Sequence, residues 1–209
     1  MLTSRIIPCL DVSDNRVVKG IQFASLRDLG HPADLAATYE QQGADELVVL
    51  DISATERRQQ TQLLTIEEVR RELSIPLTVG GGVKTLDDVQ RLTDAGADRV
   101  SVNTAAVARP GLIAEMATRF GEQCTVVAID ARREDDDWCV VTHAGKQRVD
   151  LGAIDWARTA ESEGAGEILL TSFDRDGTRQ GYDCELITAI TDAIAIPVIA
   201  SGGADSAAN

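Results

Sequence analysis

Two stretches decide the fold of this chain: Ile75–Gly82, IPLTVGGG, and its echo Ile196–Gly203, IPVIASGG. Each is a short apolar run that leads into glycines, and the second lies 121 residues after the first. Two further pairs of segments repeat in the same order: Gly43–Leu50 with Gly164–Thr171, and Arg5–Asp11 with Thr125–Asp130. An ordered internal repeat of this kind predicts two copies of one half-domain.

Short apolar runs alternate with segments of helical periodicity along the whole chain. Continuous apolar strands between helices are typical of a parallel sheet that is covered on its faces. Seven strands are predicted, at 5–12, 46–53, 76–81, 99–104, 124–131, 167–172 and 197–202. Six helices are predicted, at 31–43, 63–73, 85–95, 110–120, 152–163 and 183–194. The repeated unit favours a (β/α)₈ TIM barrel; a doubly wound open sheet is the competitor.

The repeat also predicts how the chain is divided. We expect a single barrel domain over 1–209, made of half-barrels 1–121 and 122–209. The first half has four strands, and the copy of its fourth would begin near position 217. We therefore expect the barrel to be truncated after strand seven, and a natural chain of about 250 residues, which is typical for this fold.

Composition narrows the class of protein. A net charge of −14 argues against nucleic acid or an anionic membrane as partner, but it allows a small anionic substrate. We expect no metal and no cofactor, because neither histidine lies in a metal-ligand pattern. The N-terminal run is broken by Arg5 and the apolar runs are strand-sized, so no membrane span is expected. Without CxxC spacing, and with Cys9 and Cys124 in apolar runs, the four cysteines are expected to be reduced core residues of a cytoplasmic protein.

Every predicted strand ends in a polar residue or glycine. These ends are Asp11, Asp51, Gly81–Gly82, Asn103–Thr104, Asp130, Thr171–Ser172 and Ser201–Gly203. In a barrel they would ring one pocket at the face where barrel enzymes hold their chemistry. Asp11 and Asp130 occupy equivalent places in the two halves. Such a pair can divide general acid and general base roles, whereas a lone aspartate at a strand end more commonly caps a loop.

The glycines predict phosphate binding. Gly82 in one half, and Gly202 and Gly203 in the other, leave backbone N–H groups open at the start of a helix, where the helix dipole favours an anion. Asn103 and Thr104 would complete the first site. A substrate with a phosphate at each end follows from the repeat. The further candidate contacts are Lys19 on a hairpin or flap at 16–23, and Asp51, Thr171, Asp176, Gly177 and Ser201 at or after strand ends.

Charged residues open four strands at the opposite face of the predicted barrel. They are Arg5, Glu46, Arg99 and Glu167, two of each sign. One such charge is an ordinary solvated strand edge. A ring of four suggests a salt-bridged plug, and a plug of this kind can also gate a passage.

Long segments of the chain resemble one family, the cyclase subunits of imidazole glycerol phosphate synthase from histidine biosynthesis. The resemblance covers nearly all 209 residues. It rests on RIIPCLDVSDNRVVKG (5–20), DELVVLDISA (45–54), LTVGGGVKTLDDV (77–89), DRVSVNTAAV (98–107), VVAIDARR (126–133), GAGEILLTSFDRDGTRQGYD (164–183) and PVIASGGA (197–204). The family's half-barrel duplication agrees with the repeat.

The resemblance implies a lyase that uses ammonia. Its substrate is phosphoribulosyl-formimino-aminoimidazole-carboxamide ribotide, and its products are imidazole glycerol phosphate and aminoimidazole-carboxamide ribotide. It places the catalytic aspartates on Asp11 and Asp130 and the flap lysine on Lys19. The implied phosphate contacts are Gly82, Asn103, Thr104, Ser201, Gly202 and Gly203. It implies a glutaminase partner in a heterodimer, with ammonia passing a gate at Arg5, Glu46, Arg99 and Glu167.

Two departures from the family pattern stand out. The gate position held here by Arg99 is usually a lysine, and the planar guanidinium pairs with carboxylates differently. The family's last strand and helix, with half of the second phosphate site, lie beyond residue 209, and a chain without them can be inactive. Two alternatives stay open: the sister isomerase of the pathway, and a non-catalytic module that docks on the glutaminase.

Overall fold

The computed structural model of the chain describes residues 4–21, 24–52 and 59–206. Its strands are β1 (Cys9–Ser13), β2 (Arg16–Ile21), β3 (Ala24–Gly30), β4 (Leu47–Asp51), β5 (Leu77–Gly80), β6 (Arg99–Val102), β7 (Thr125–Glu134), β8 (Asp137–Thr142), β9 (Gln147–Gly152), β10 (Glu167–Ser172) and β11 (Val198–Ser201). All seven predicted strands are present. Of the predicted flap and second strand, positions 22–23 and 53 lie outside the described residues.

Helices follow the strands as the periodicity predicts. They are α1 (Pro32–Gln41), α2 (Gln59–Glu72), α3 (Leu86–Asp94), α4 (Thr104–Ala108), α5 (Gly111–Phe120), α6 (Ala153–Ser162) and α7 (Cys184–Thr191). Local sequence sets their starts: a proline opens α1, and Thr85 and Asp88 form a capping box at α3. The Asp183 side chain accepts a hydrogen bond from Leu186 N at the start of α7.

The chain divides into two compact units. The first, Met1–Lys19 with Arg27–Ser101, has the parallel strand order β1–β4–β5–β6, so neighbours in the sheet are also neighbours along the chain. This order lacks the reversal of a doubly wound sheet. Strand β1 also pairs with β2 in an antiparallel hairpin. Asp14 and Asn15 form its turn, both with positive φ, as a tight two-residue hairpin requires.

The second unit, Gly20–Leu26 with Val102–Asn209, repeats this plan. Its parallel strands run β7–β10–β11, again in chain order. Strand β7 continues into an antiparallel hairpin with β8, which in turn pairs with β9. The two units therefore share a parallel core and an antiparallel arm on the first strand.

The internal repeat is visible in the backbone at the 121-residue offset. Gly81 has a positive φ, and a Cβ there would lie 2.1 Å from the carbonyl oxygen of Asp51; a Cβ at Gly202 would lie 2.6 Å from that of Ser172. The carboxylate of Glu40 likewise accepts a hydrogen bond from Ser74 N. Glu161 accepts one from Ala195 N at 2.7 Å. The glycine contacts thus occur at equivalent positions in both units, and so do the two glutamates that accept from a backbone N–H, which we call the glutamate anchors.

The core is built from aliphatic side chains, as the 3% aromatic content predicts. In the second unit it includes both tryptophans of the chain, Trp138 on β8 and Trp156 on α6, which are buried. No helix in the described part of the chain is long and apolar enough to span a bilayer.

Several expectations need correction. Cys9 and Cys184 are exposed, whereas Cys124 and Cys139 are buried, because Cys9 and Cys184 each begin an element ahead of its buried stretch. Strands β1 and β7 do not end at their aspartates but run on into hairpins. The sequence reasoning also missed β3, β9 and the short helix α4, which follows β6 directly.

Candidate active site

In the first unit the structure brings Asp11 and Lys19 together. Asp11 lies on β1 opposite Val18 of β2, and the ammonium of Lys19 is 3.6 Å from the Asp11 carboxylate. Asp11 is buried, whereas the Lys19 side chain is 49% exposed. The hairpin therefore holds a half-exposed cation over a buried carboxylate.

The glycine segment after β5 lies beside the end of β4. The parallel register places Leu50 opposite Gly80, and Asp51 follows at the edge of the strand. The backbone at Gly81 touches that of Asp51, where a side chain would not fit. Gln62 on α2 donates hydrogen bonds to the carbonyl oxygens of Gly80 and Gly81, at 3.4 and 3.3 Å. Because these carbonyls are occupied, the segment can present its N–H groups to an anion.

The helix behind this segment is fixed by Asp88. Burial alone would raise the pKa of Asp88, but hydrogen bonds from Lys84 N, from Thr85 N and its hydroxyl, and from Arg91 outweigh burial and lower the pKa. Ionised Asp88 thus holds the start of α3, whose N-cap residue Thr85 lies three positions after Gly82. This arrangement keeps the N-terminal end of the helix at the glycine segment.

In the second unit Asp130 has a neutral partner. The amide group of Asn103 donates to the Asp130 carboxylate at 3.0 Å. The other amide atom, Asn103 Oδ1, is buried without a protein hydrogen-bond partner. Asn103 was predicted as a phosphate contact, and the structure places its donor on Asp130.

The remaining candidates of the second unit follow the same register. Thr171 of β10 lies opposite Asp130 on one side and Ser201 of β11 on the other. The Thr104 hydroxyl, at the start of α4, accepts a hydrogen bond from His143 N at 3.1 Å. These three side chains are half-buried.

The loop after β10 is shaped by glycine contacts. Asp176 is buried, its N–H donates to Ser172 O at 3.0 Å, and Gly177 follows with positive φ. Gly203 accepts a hydrogen bond from Gly181 N at 2.8 Å, and a Cβ on Gly203 would lie 2.2 Å from Gly181 O. The Gly202–Gly203 segment is therefore closely packed against this loop.

The four predicted gate charges lie at or shortly before the starts of strands. Glu46 is buried and accepts hydrogen bonds from Arg5, at 2.6 Å, and from Arg99. Glu167, in the other unit, is also buried at the first position of β10. Arg5, Glu46 and Arg99 thus form one ionic cluster within the first unit.

Two contacts were not predicted from sequence. Gln62 holds the glycine segment, and Thr65, one turn further along α2, donates to Asn15 in the hairpin turn. Their spacing of three places both on one helix face, and that spacing is the available signal, but a polar helix face normally indicates solvent. No group of three or more potential metal ligands occurs within the described ranges.

Parallel strands in chain order, with helices between them and polar residues at their carboxyl ends, define a protein of the (β/α)-barrel class. The family described as "Histidine biosynthesis protein" matches residues 5–209, and this chain belongs to it. The family is one of TIM barrels, so the predicted fold class is confirmed. The predicted division at 121 and 122 stays a prediction.

Three relatives are similar over nearly the whole chain, and each is an imidazole glycerol phosphate synthase subunit HisF. The subunit of Lysinibacillus sphaericus is 56% identical over 98% of this chain and 81% of its own length. That of Myxococcus xanthus is 55% identical over 100% of this chain and 83% of its own. That of Halalkalibacterium halodurans is 56% identical over 98% and 82%. The resemblance inferred from the sequence motifs is confirmed.

Proposed function

We propose that this chain is the cyclase subunit of an imidazole glycerol phosphate synthase. It joins ammonia to phosphoribulosyl-formimino-aminoimidazole-carboxamide ribotide and releases imidazole glycerol phosphate, aminoimidazole-carboxamide ribotide and water. The observation that carries the proposal is 55–56% identity, over 98–100% of the chain, to three HisF subunits. The paired placement of Asp11 and Asp130 on equivalent strands supports it.

The chemistry needs one group that gives a proton and one that takes it. Ammonia attacks the ribulosyl ketone, and the carbinolamine loses water to give an imine. Asp130 donates the proton that leaves with this water. Asp11 then moves the protons of ring closure and of cleavage of the bond to the carboxamide ribotide. Each aspartate is placed by a neighbour suited to hold it, Lys19 or Asn103.

The substrate is held by a phosphate at each end. Gly82 and Thr104, with Asn103, bind one phosphate; Ser201, Gly202 and Gly203 bind the other. Asp51, Thr171, Asp176 and Gly177 line the space for the sugar hydroxyls. Lys19 closes over the anionic substrate and excludes water. The glycine contacts described above support this, because they hold both glycine segments tightly against neighbouring backbone at the ends of the strands.

Ammonia comes from a glutaminase subunit with which the chain forms a heterodimer in the cytoplasm. The partner docks at the face where the strands begin. Arg5, Glu46, Arg99 and Glu167 form the gate that ammonia passes. The Arg5–Glu46–Arg99 cluster supports this role, because a shared carboxylate can release one arginine while it keeps the other.

The test is a cyclisation assay of the purified chain with ammonium salt and no glutaminase. We expect turnover that depends on ammonia. Asp11→Asn and Asp130→Asn should each lower kcat at least about a hundredfold, the lower range for a general acid or base, with little change in KM. Asp34→Asn, an exposed aspartate on α1, is the matched control and should leave kcat unchanged.

Three outcomes would contradict the proposal. Conversion of the sugar without ammonia would indicate the sister isomerase. Activation of a glutaminase with no cyclisation would indicate a docking module. Undiminished turnover by both asparagine variants would remove the two aspartates from the mechanism.

A further inference from the structure

The turn of the β1–β2 hairpin is fastened to helix α2 by a side-chain hydrogen bond. The hydroxyl of Thr65 donates to the side-chain oxygen of Asn15 at 2.5 Å, between residues 50 positions apart in the chain. Thr65 is buried. A partly buried hydrogen bond to a turn constrains the whole hairpin, because two paired strands move as a unit.

Asn15 has two separate tasks in this turn. With φ of 59° it lies in the left-handed region, which asparagine, aspartate and glycine tolerate better than other residues. Its side chain also accepts the bond from Thr65. Aspartate could perform both tasks, whereas glycine could perform only the first. Variants at this position can therefore separate the shape of the turn from its attachment.

Helix α2 is a firm support for the hairpin. Ile66 and Val69, on the same side as Thr65, are fully buried. The hairpin is also joined to β3, by the pairing of β2 with β3 and by an ion pair from Arg16 to Asp28 at 2.9 Å whose side chains are both about half exposed. Exposed ion pairs contribute little to stability. The hydrogen bond from Thr65 to Asn15 is therefore the stronger of the two side-chain attachments.

We propose that Asn15 and Thr65 are positioning residues that set the hairpin so that Lys19 lies over Asp11. The β1–β2 register connects the hairpin turn to the Lys19–Asp11 pair. Arg16 beside the turn is paired with Ser13, Val18 is paired with Asp11, and Lys19 is the next residue. Helix α2 packs against the core, and the Thr65–Asn15 hydrogen bond ties the hairpin turn to this helix. The orientation of the hairpin therefore depends on the position of α2. This inference rests on the proposed function for the role of Lys19, and on the structure alone for the attachment.

Hydrogen exchange of the hairpin amides tests the attachment without substrate. Thr65→Val and Asn15→Gly should each raise exchange in β1 and β2 roughly tenfold, the change expected on loss of one hydrogen bond. Thr65→Ser and Asn15→Asp keep a donor and an acceptor, and should stay within about twofold of wild type. The double variant should exchange no faster than either single variant. Unchanged exchange in Thr65→Val would overturn the proposal.

Kinetics test the positioning. Thr65→Val should raise KM for the anionic ribotide about threefold to tenfold while KM for ammonia stays constant, because Lys19 meets only the ribotide. Asp28→Asn, which breaks the exposed tether, is the control and should change KM by less than about twofold. A lower kcat with unchanged KM would reveal a purely structural role and refute positioning. An inactive wild-type chain would count against the proposed function, while the exchange result would still decide the attachment.

Discussion

The two halves of this chain share a backbone plan but treat their aspartates differently. Asp11 faces a cation on a hairpin arm, whereas Asp130 accepts a hydrogen bond from the neutral amide of Asn103, which stands directly before a helix. The ammonium of Lys19 is half exposed and lies on the β1–β2 hairpin, whereas Asn103 is fixed between β6 and α4. The two aspartates hold equivalent strand positions but have different neighbours.

The arms on the two strands also differ in construction. In the first, β2 pairs with a third strand, β3, and the turn of the β1–β2 hairpin is fastened to α2 through Thr65. In the second, β8 pairs with a third strand, β9, and Arg148 of β9 donates two hydrogen bonds to Glu134 of β7, at 2.5 and 2.7 Å. That pairing lowers the pKa of Glu134. The first arm is therefore fastened at its turn to a helix, and the second is braced by ionic hydrogen bonds between its own strands.

The largest effect is expected where the halves are most alike. Gly81→Ala and Gly202→Ala should each reduce the free energy of unfolding by about 3 kcal/mol, because both residues have positive φ and a Cβ would meet a carbonyl oxygen. Chemical denaturation measures both. Gly111→Ala is the control, since nothing lies within 4 Å of its Cβ position. A cost at one of the two sites alone would break the structural equivalence of the halves.

The second prediction separates the partners of the two aspartates. Asn103→Ala should lower kcat roughly tenfold, the effect of losing one hydrogen bond that holds the Asp130 carboxyl group in place, with a smaller change in KM. Lys19→Met should mainly raise KM for the ribotide and change kcat less, because the lysine charge that is removed would contact the anionic substrate. Steady-state kinetics with ammonium salt measure both parameters.

Lys19→Arg retains the charge and is the matched control for the lysine. If both variants changed only KM, Asn103 would contribute to phosphate binding alone and its hydrogen bond to Asp130 would have no part in catalysis. The different partners of Asp11 and Asp130 would then have no separate effects on catalysis.

The smallest effect concerns pH and the duplicated glutamate anchors. The hydroxyl of Ser74 and then its N–H hold the pKa of Glu40 below its usual value of 4.5. A lowered pKa means that Glu40 stabilises the fold above pH 4.5 and loses this contribution as pH falls through the lower folded-state pKa. Glu40→Gln should therefore lower Tm slightly at neutral pH, and the difference from wild type should shrink in acid.

Circular dichroism melts at neutral and acidic pH measure this difference. Ser74→Ala, which removes the hydroxyl donor, should show the same convergence in acid. A difference between Glu40→Gln and wild type that stays constant with pH would contradict the assignment.

Sequence predicted the parallel strands because they are continuous apolar runs closed by glycine or a polar residue. The sequence also predicted the repeat, because the same glycines recur in both halves. At Gly81 and Gly202 a side chain would collide with neighbouring backbone, so the fold requires glycine there. It missed β9 because that strand is largely exposed and polar, and it missed α4 because five residues show no periodicity.

The candidate site was predicted in its residues but not in its contacts. Asp11 and Asp130 were singled out by their places at strand ends, and Lys19 by its place on the predicted flap. The bonds from Asn103 to Asp130 and from Thr65 to Asn15 join residues 27 and 50 positions apart. Such pairings depend on the packed positions of two elements, and no local pattern in the sequence encodes them.

The location of the two tryptophans has a consequence for spectroscopy. Trp138 and Trp156 are both buried, and both belong to the second unit. Intrinsic tryptophan emission therefore reports on that unit alone, while far-ultraviolet ellipticity reports on helices throughout the chain. Coincident denaturation curves from the two signals would show that both halves unfold in one cooperative step, and separated curves would show that the duplicated halves retain individual stabilities.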